Sequence, residues 1–297
     1  MVRVVSDKPF LASLAVITVT YVALLLAMLV ADVAYMVDSG EEFLAEQQAA
    51  GTLVAEATDD PRDTRLPVFL IPVLQALRQP EIQYSVKLTL ISCLFTAILS
   101  ILVAVPVGYL LSRHQFRGKA FLDAVLDIPI VLPPLIVGLS LLILFRYMPF
   151  RPLRPYVVYQ IPAVVLAQFT VAAAFAVRVM RSTFEQIDPR VEQVALTLGC
   201  SRAQAFAAVV LPQAIPGMLT AGTLAWARAM GEFGPLLIFA GATRFKTEVL
   251  STTVFLELSV GRLDAAVAVS LIMVFAAVIV LIIARVWGAR HLVNAHR

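Results

Sequence analysis

The sequence predicts an all-α polytopic membrane protein, with about six transmembrane helices and a polar helical hairpin between the fourth and fifth. Three observations carry this. Of the 297 residues, 60% are hydrophobic and only 14% charged, against about 25% charged in soluble domains; the mean hydropathy is +0.89. The apolar residues gather into runs at roughly 10–36, 84–112, 124–146, 157–180, 214–242 and 264–287, each able to supply the ~20 residues that a helix needs to cross hydrocarbon. Between the fourth and fifth runs lies a segment, 181–213, too amphipathic to span a bilayer and rich in helix-capping residues.

The first run is longer than a signal-peptide core and has no clear small-x-small cleavage site, so residues 1–36 read as an N-terminal segment with a retained transmembrane helix. Residues 37–83 form an acidic stretch carrying Asp38, Glu41, Glu42, Glu46, Glu56, Asp59, Asp60 and Asp63. They read as an external loop, with a surface helix over Glu41 to Ala57 and a polar turn over Asp59 to Arg65. The loop is either simply solvated or touches an external partner. Residues 84–287 hold the other five runs. Pro106, Pro129, Pro133, Pro134, Pro162, Pro216 and Pro235 fall inside or beside them, tolerable where neighbouring helices or cavity water satisfy the freed carbonyls. The third run, with its DIPIVLPPLIVG, is expected to be kinked or partly unwound. Small residues such as Ala172-Ala173-Ala174, Ala265-Ala266 and Ala276-Ala277 permit close helix approach in runs four to six. With both termini cytoplasmic, the inner segments hold twelve Lys and Arg against nine outside; that is the direction of the positive-inside rule and sets the expected orientation. Residues 288–297 are then a short cytoplasmic tail, with no appended regulatory domain expected.

The hairpin can be read residue by residue. Asp188-Pro189 is a helix start, an N-cap acceptor followed by Pro at the first helical position. Val191, Val194, Ala195 and Leu198 then share one face at spacings of three and four. Gly199 suits a left-handed C-terminal cap. Ser201 and Gln204 form a capping box that starts a second helix, with Phe206, Val209 and Val210 on its apolar side and Leu211-Pro212 expected to end it. Arg181, Glu185, Arg190, Glu192 and Arg202 keep the neighbourhood wet. These residues suit either a well-capped inter-helix loop or a docking surface for a soluble partner.

Charges within the runs are few. Arg228 and Glu232 are four apart in the fifth, on one helix face. At that depth charges face a bundle interior, a cavity or each other. The two, with Phe233, are either a neutralising pair that fixes packing or part of a translocation path or gate. Lys87 is expected to snorkel and Asp127 to cap a half-helix. Thr89, Ser92, Thr96, Ser140, Gln168 and Thr170 are expected to hydrogen-bond between helices. The net charge of +3, with no basic stripe interleaved with aromatics, excludes a nucleic-acid role. Cys93, Cys200, His114, His291 and His296 have no metal-ligand spacing, and no Ser/His/Asp, Cys/His or paired-carboxylate set supports catalysis. No catalytic or metal-binding residue is assigned.

The hairpin resembles the EAA loop of the permease subunits of ABC importers, which has a Glu-Ala-Ala triplet, a Gly six residues after its Glu and a later Leu-Pro. Counted back from Gly199, the triplet falls on Gln193-Val194-Ala195. Gln193 stands where the motif has an acid, and Glu192 supplies one a residue earlier. Gly199, Phe206, Leu211, Pro212 and Pro216-Gly217 match. The likeness runs from about Tyr84 to Trp287, and Ala227-Arg228-Ala229-Met230-Gly231-Glu232-Phe233-Gly234 looks like the permeases of molybdate, tungstate and sulfate importers.

The resemblance implies that 181–213 is a coupling loop inserting into a cytoplasmic ATPase subunit through Glu192, Gln193, Ala195, Gly199, Ser201, Phe206, Leu211 and Pro212. A charge contact made by the family's Glu would come from Glu192 or be weaker. Two permeases, expected to be a homodimer, would pair with two ATPases, and an external solute-binding protein would deliver the ligand. The chain has no GxxxxGK[ST]; Gly118-Lys119-Ala120 lacks the hydroxyl and the upstream Gly. No cofactor is expected on this chain, which is not itself an enzyme; ATP and Mg would sit on the partner. The expected function is the permease of an ATP-driven oxyanion importer in a prokaryotic inner membrane, for molybdate or tungstate ahead of sulfate. The alternatives are the same machine for another solute, or an ion-coupled secondary transporter. The latter would need an internal ion site and usually inverted repeats.

Overall fold

A computed structural model describes residue 73, residues 76–294 and scattered positions between 16 and 37; over 283–294 it describes the backbone alone. Part of the first run and most of the acidic segment 37–83 therefore lie outside the described residues. The described positions between 16 and 37 are helical, and among them the Tyr35 hydroxyl donates to Asp264 Oδ1 at 2.9 Å.

The described chain is helical, with no strand among its residues. Helix α1 (Pro80–Arg113) starts on Pro80, whose missing N–H costs nothing in a first turn, and carries Glu81 in its first turn and Arg113 in its last, each suited to the helix dipole. Small and polar residues at helical spacing make its buried face: Ser85, Thr89, Ser92, Thr96, Ser100, Ala104 and Gly108. Leu94, Ile98 and Leu102 on its other side are 56%, 50% and 64% exposed. A helix apolar on its open side and small on its packed side is built for lipid outside and close helix contact inside. That contact is with α5 (Ile161–Gln186), the central helix. At the crossing a Cβ on Gly108 would lie 2.8 Å from the Arg181 nitrogen, so the backbones can meet there only at a glycine. Thr96 Oγ1 lies 3.2 Å from Gln168 Oε1, and Leu250 N–H donates to Thr89 Oγ1 at 2.9 Å, as expected of inter-helix hydrogen bonders.

The Pro-rich third run is a broken pair. Helix α2 (Lys119–Val131) and helix α3 (Pro134–Leu144) meet at 111° across Leu132-Pro133. A 3-10 turn (Arg151–Leu153) and one α-turn, α4 (Arg154–Val157), lead into α5. Helices α6 (Pro189–Thr197) and α7 (Arg202–Ala205) form the polar hairpin, and α8 (Leu211–Met230) returns against α5 and α1. The fifth run, expected as one span over 214–242, breaks instead. Helix α8 stops at Met230, the chain passes Gly231-Glu232-Phe233-Gly234-Pro235, and a π-helical turn follows (Leu236–Ala240); two glycines and a proline within five residues are enough to end a helix. Helix α9 (Leu250–Ser259) packs on α10 (Leu263–Asn294), whose backbone stays helical into the stretch expected as a tail, as far as Asn294.

Among the described residues, four helices are long and apolar enough to cross a membrane, or five if the α2–α3 pair counts as one span. The main core joins α1, α5 and α8 around Cys93, Ala104, Ala176, Met180, Phe184 and Ala221.

Candidate functional site

The hairpin is held by the local chemistry read from its sequence. Arg190 N–H donates to Asp188 Oδ1 at 2.9 Å, with Pro189 in the first helical position. Gly199 has φ of +90°, and Cys200 N–H reaches back to the Ala195 carbonyl at 3.1 Å. Ser201 N–H donates to Gln204 Oε1 at 2.8 Å, and Gln204 N–H donates to Ser201 Oγ at 3.3 Å, a complete capping box. The second helix does not end at Leu211-Pro212. It widens into a π turn over Phe206–Val210, where Leu211 N–H bonds the Phe206 carbonyl, and continues as α8 with Pro212 in the first α-turn. A π turn resets the bonding register, so proline's missing donor is absorbed at the seam. Arg202–Met230 is thus one 29-residue helical rod.

Long-range contacts fix how the hairpin sits. Tyr109 on α1 donates its hydroxyl to Glu192 Oε1 at 2.5 Å. Arg113, one turn on, lies 3.7 Å from Glu192 Oε2 and donates to the Ile187 carbonyl at 2.8 Å. The Tyr109 ring lies 4.6 Å from that of Phe206 and 5.6 Å from that of Phe184 on α5; each such pair adds about 0.5–1.5 kcal/mol beyond its buried area. Glu192, whose side chain is only 14% exposed, anchors the hairpin to α1 through these contacts.

What the hairpin presents outward is different. Gln193 is exposed, and so are Val194 and Leu198, at 56% and 80%. With Val191 and Val209 these two apolar side chains border a shallow cleft of about 380 Å³. Ala195 is buried, Gly199 and Ser201 are caps, Phe206 is an anchor, Leu211 is half-buried and Pro212 is exposed. The residues picked from sequence thus divide between outward groups and the frame that holds them. Tyr109 and Arg113 were missed; their only signal is an aromatic and a base one turn apart at the polar end of the second run.

At the far end of the rod, Arg228 Nη2 lies 2.9 Å from Glu232 Oε1. Glu232 is 1% exposed, while the Arg228 side chain is 34% exposed and stacks 5.5 Å over the Phe175 ring. The pairing expected from their spacing is present. Phe233 packs on Phe255 at 5.3 Å, and the Ser251 hydroxyl donates to the Glu232 carbonyl at 2.7 Å. The turn after Glu232 abuts the broken helix: a Cβ on Gly234 would lie 2.8 Å from Pro134 Cβ, and one on Gly138 would lie 2.8 Å from Pro235 Cα. Asp127, expected as a cap of a half-helix, lies inside α2 instead and pairs with Arg178 on α5, with both carboxylate oxygens at 2.8 Å from guanidinium nitrogens. One turn earlier Asp123 meets Arg181 at 2.7 Å. No group of three or more His, Cys, Asp and Glu residues among the described residues is placed to hold a metal.

Comparison with known proteins places this architecture. The model of the family described as "Binding-protein-dependent transport system inner membrane component" matches residues 100–294. The molybdate/tungstate transport system permease protein WtpB of Pyrococcus abyssi is 34% identical over 184 residues, covering 59% of this chain and 71% of the relative. The sulfate transport system permease protein CysT of Escherichia coli is 30% identical over 212 residues, covering 70% and 76%. A similar fold is found in the crystal structure of a bacterial alginate ABC transporter in complex with alginate pentasaccharide-bound periplasmic protein, with a TM-score of 0.60 and 15% identity over 85% of this chain and 96% of that one.

Proposed function

Because this chain belongs to the family of binding-protein-dependent transport system inner membrane components, we propose that it is the permease subunit of an ATP-driven importer of tetrahedral oxyanions, molybdate or tungstate ahead of sulfate. The observation that carries the working part of this reading is the hairpin: a capped element, braced from behind by Tyr109, Arg113 and Phe184, that leaves Val194 and Leu198 open to water. A brace on one side and an unpaid apolar face on the other suit docking onto a soluble ATPase. That ATPase binds the ATP and Mg, which this chain does not.

Force transmission follows from the rod. The second half of the hairpin is continuous with α8, and 29 helical residues span about 44 Å at 1.5 Å per residue. Movement of the docked end is carried to the Gly231–Pro235 turn, which presses on the broken α2–α3 pair through Gly234 and Gly138. Arg228, Glu232 and Phe233 lie at that junction. In this reading they form the gate, and the paired charge keeps it from trapping an anion. A second copy of the chain completes the path and an external binding protein delivers the solute. The first run, 10–36, adds a sixth span, and both termini face the cytoplasm of a prokaryotic cell.

Support for an oxyanion comes from the molybdate/tungstate and sulfate systems named for the similar permeases. The test is competition: uptake of labelled molybdate by the reconstituted transporter with its own binding protein should be blocked by excess tungstate and less by sulfate. A binding protein that retains a sugar or an amino acid and no oxyanion refutes the cargo while leaving the permease reading intact.

A further inference from the structure

One polar surface is not used by the hairpin or the gate. It runs along the seam between α5 and α8, where an open cleft of about 570 Å³ is bordered by Arg178, Ser182, Thr183, Gln186, Gln213 and Thr220. Arg178, Ser182 and Gln186 recur every four residues on α5, so they share one stripe. Gln213 and Thr220 stand on the facing side of α8. The two helices touch at the floor of the cleft, where a Cβ on Gly217 would collide with the Thr183 side chain. The polar groups are therefore the walls of a furrow and not the filling of a core.

This face cannot be a lipid face. Arg178 and Thr220 are exposed yet lie in the apolar runs 157–180 and 214–242, within helices long and apolar enough to cross a membrane; the exposed Ser182, Gln186 and Gln213 continue the same face into the segment 181–213 expected at the cytoplasmic side. Charged and polar groups at such positions face water, a cavity or another protein. The outer side of α1, with its exposed Leu, Ile, Phe and Val side chains, shows what this chain offers to lipid. The composition of the furrow also argues against a dry contact between permease copies, whose buried centres are depleted of charge.

Among the described residues Arg178 is the one charged residue bordering the furrow, and Arg228, on α8, lies outside its lining. Arg228 stacks on Phe175, and Arg178 lies three residues further along α5 toward the hairpin. Each guanidinium is half-open, at 34% and 54% of its side chain, and each already holds one carboxylate, Glu232 or Asp127. Asp127 takes the Nε edge of Arg178, leaving the remaining N–H groups for another acceptor. Beyond Arg178, toward Gln186 and Gln213, the polar groups of the lining are hydroxyls and amides, set among Val179, Ile187 and Pro216. A tetrahedral dianion would meet two neutralised guanidiniums and then uncharged donors. Such contacts guide it without holding it.

We infer that the α5–α8 furrow is the inner half of the anion pathway, with Arg178 the last cationic contact before release. This rests on the importer reading above and assigns residues to its inner half.

The test uses the transporter assembled with its ATPase in proteoliposomes, with Cys93→Ala and Cys200→Ser as background. Ser182→Cys and Thr220→Cys are labelled from the cytoplasmic side with anionic MTSES and cationic MTSET, which need no cargo. Both positions should react without nucleotide and slow at least about tenfold with ATP and vanadate. The MTSES-to-MTSET rate ratio should fall about tenfold in Arg178→Gln, the lower end of what a focused charge does to local ion concentration, and Arg178→Lys should restore it. Positions that stay unreactive in every state, as a face covered by the second copy or by lipid would be, overturn the inference, and so does a ratio indifferent to Arg178. An anion-selective furrow in a transporter that moves no oxyanion upholds the furrow and refutes the cargo; an unreactive furrow in one that does move oxyanions refutes the furrow alone.

Discussion

Leu198→Ala separates docking from folding. In the free chain this side chain is 80% exposed at the end of α6, so its loss removes almost no buried area and leaves the fold intact. If an ATPase groove covers it, the substitution removes apolar surface that is buried only in the complex. Leu and Ala differ by three carbons, and at about 0.8 kcal/mol per buried CH₂ the loss is about 2 kcal/mol. Since 1.4 kcal/mol is tenfold, the dissociation constant for the ATPase should rise roughly thirtyfold. The assay immobilises the purified permease in nanodiscs, titrates the ATPase over it and reads thermal stability in parallel. The expected pattern is weakened binding with unchanged Tm. Unchanged binding, or a loss of binding that merely tracks a fall in Tm, would show that the open apolar face is not the docking surface.

Gly199→Ala should lower stability by about 1 kcal/mol through backbone strain at φ of +90°, with no steric part because nothing lies within 4 Å of the added Cβ; Gly199→Asn should recover much of it, since Asn tolerates this region, and a Tm series checks both. Gly234→Ala should be far more damaging to transport than to ATPase binding, because its Cβ would sit 2.8 Å from Pro134 and 2.9 Å from the Leu135 nitrogen; transport and retention measured on one preparation decide this. Tyr109→Phe removes the hydroxyl that bonds Glu192, a charge-assisted bond of about 1.5–3 kcal/mol, and faster amide exchange over 188–200 should report the loosened hairpin.

The parts of the site legible in the sequence are those set by local backbone chemistry. Asp188-Pro189, Gly199 and the Ser201–Gln204 box each act within a few residues, and each takes the geometry its spacing implies. The break in the third run was legible for the same reason, since consecutive prolines leave a helix little choice. The misreadings have long-range causes or concern a register shift. Leu211-Pro212 looked like a stop, but the π turn before it lets the helix continue. The anchoring of Glu192 was hidden because its partners, Tyr109 and Arg113, come from a helix about 80 residues earlier. Asp127 looked like a cap because Arg178 lies 51 residues away in sequence. The 214–242 run looked continuous because hydropathy counts Gly and Pro as membrane-compatible, whereas the backbone leaves the helix at Gly231, Glu232 and Phe233.

The permease reading stands or falls on what drives uptake. The chain, its ATPase and its binding protein should be reconstituted in one set of proteoliposomes and labelled molybdate uptake measured with ATP, with a non-hydrolysable analogue, and with an imposed ion gradient alone. The account predicts uptake only with hydrolysable ATP, lost when the ATPase is omitted. Uptake that persists without hydrolysis, or that follows the ion gradient, would contradict it.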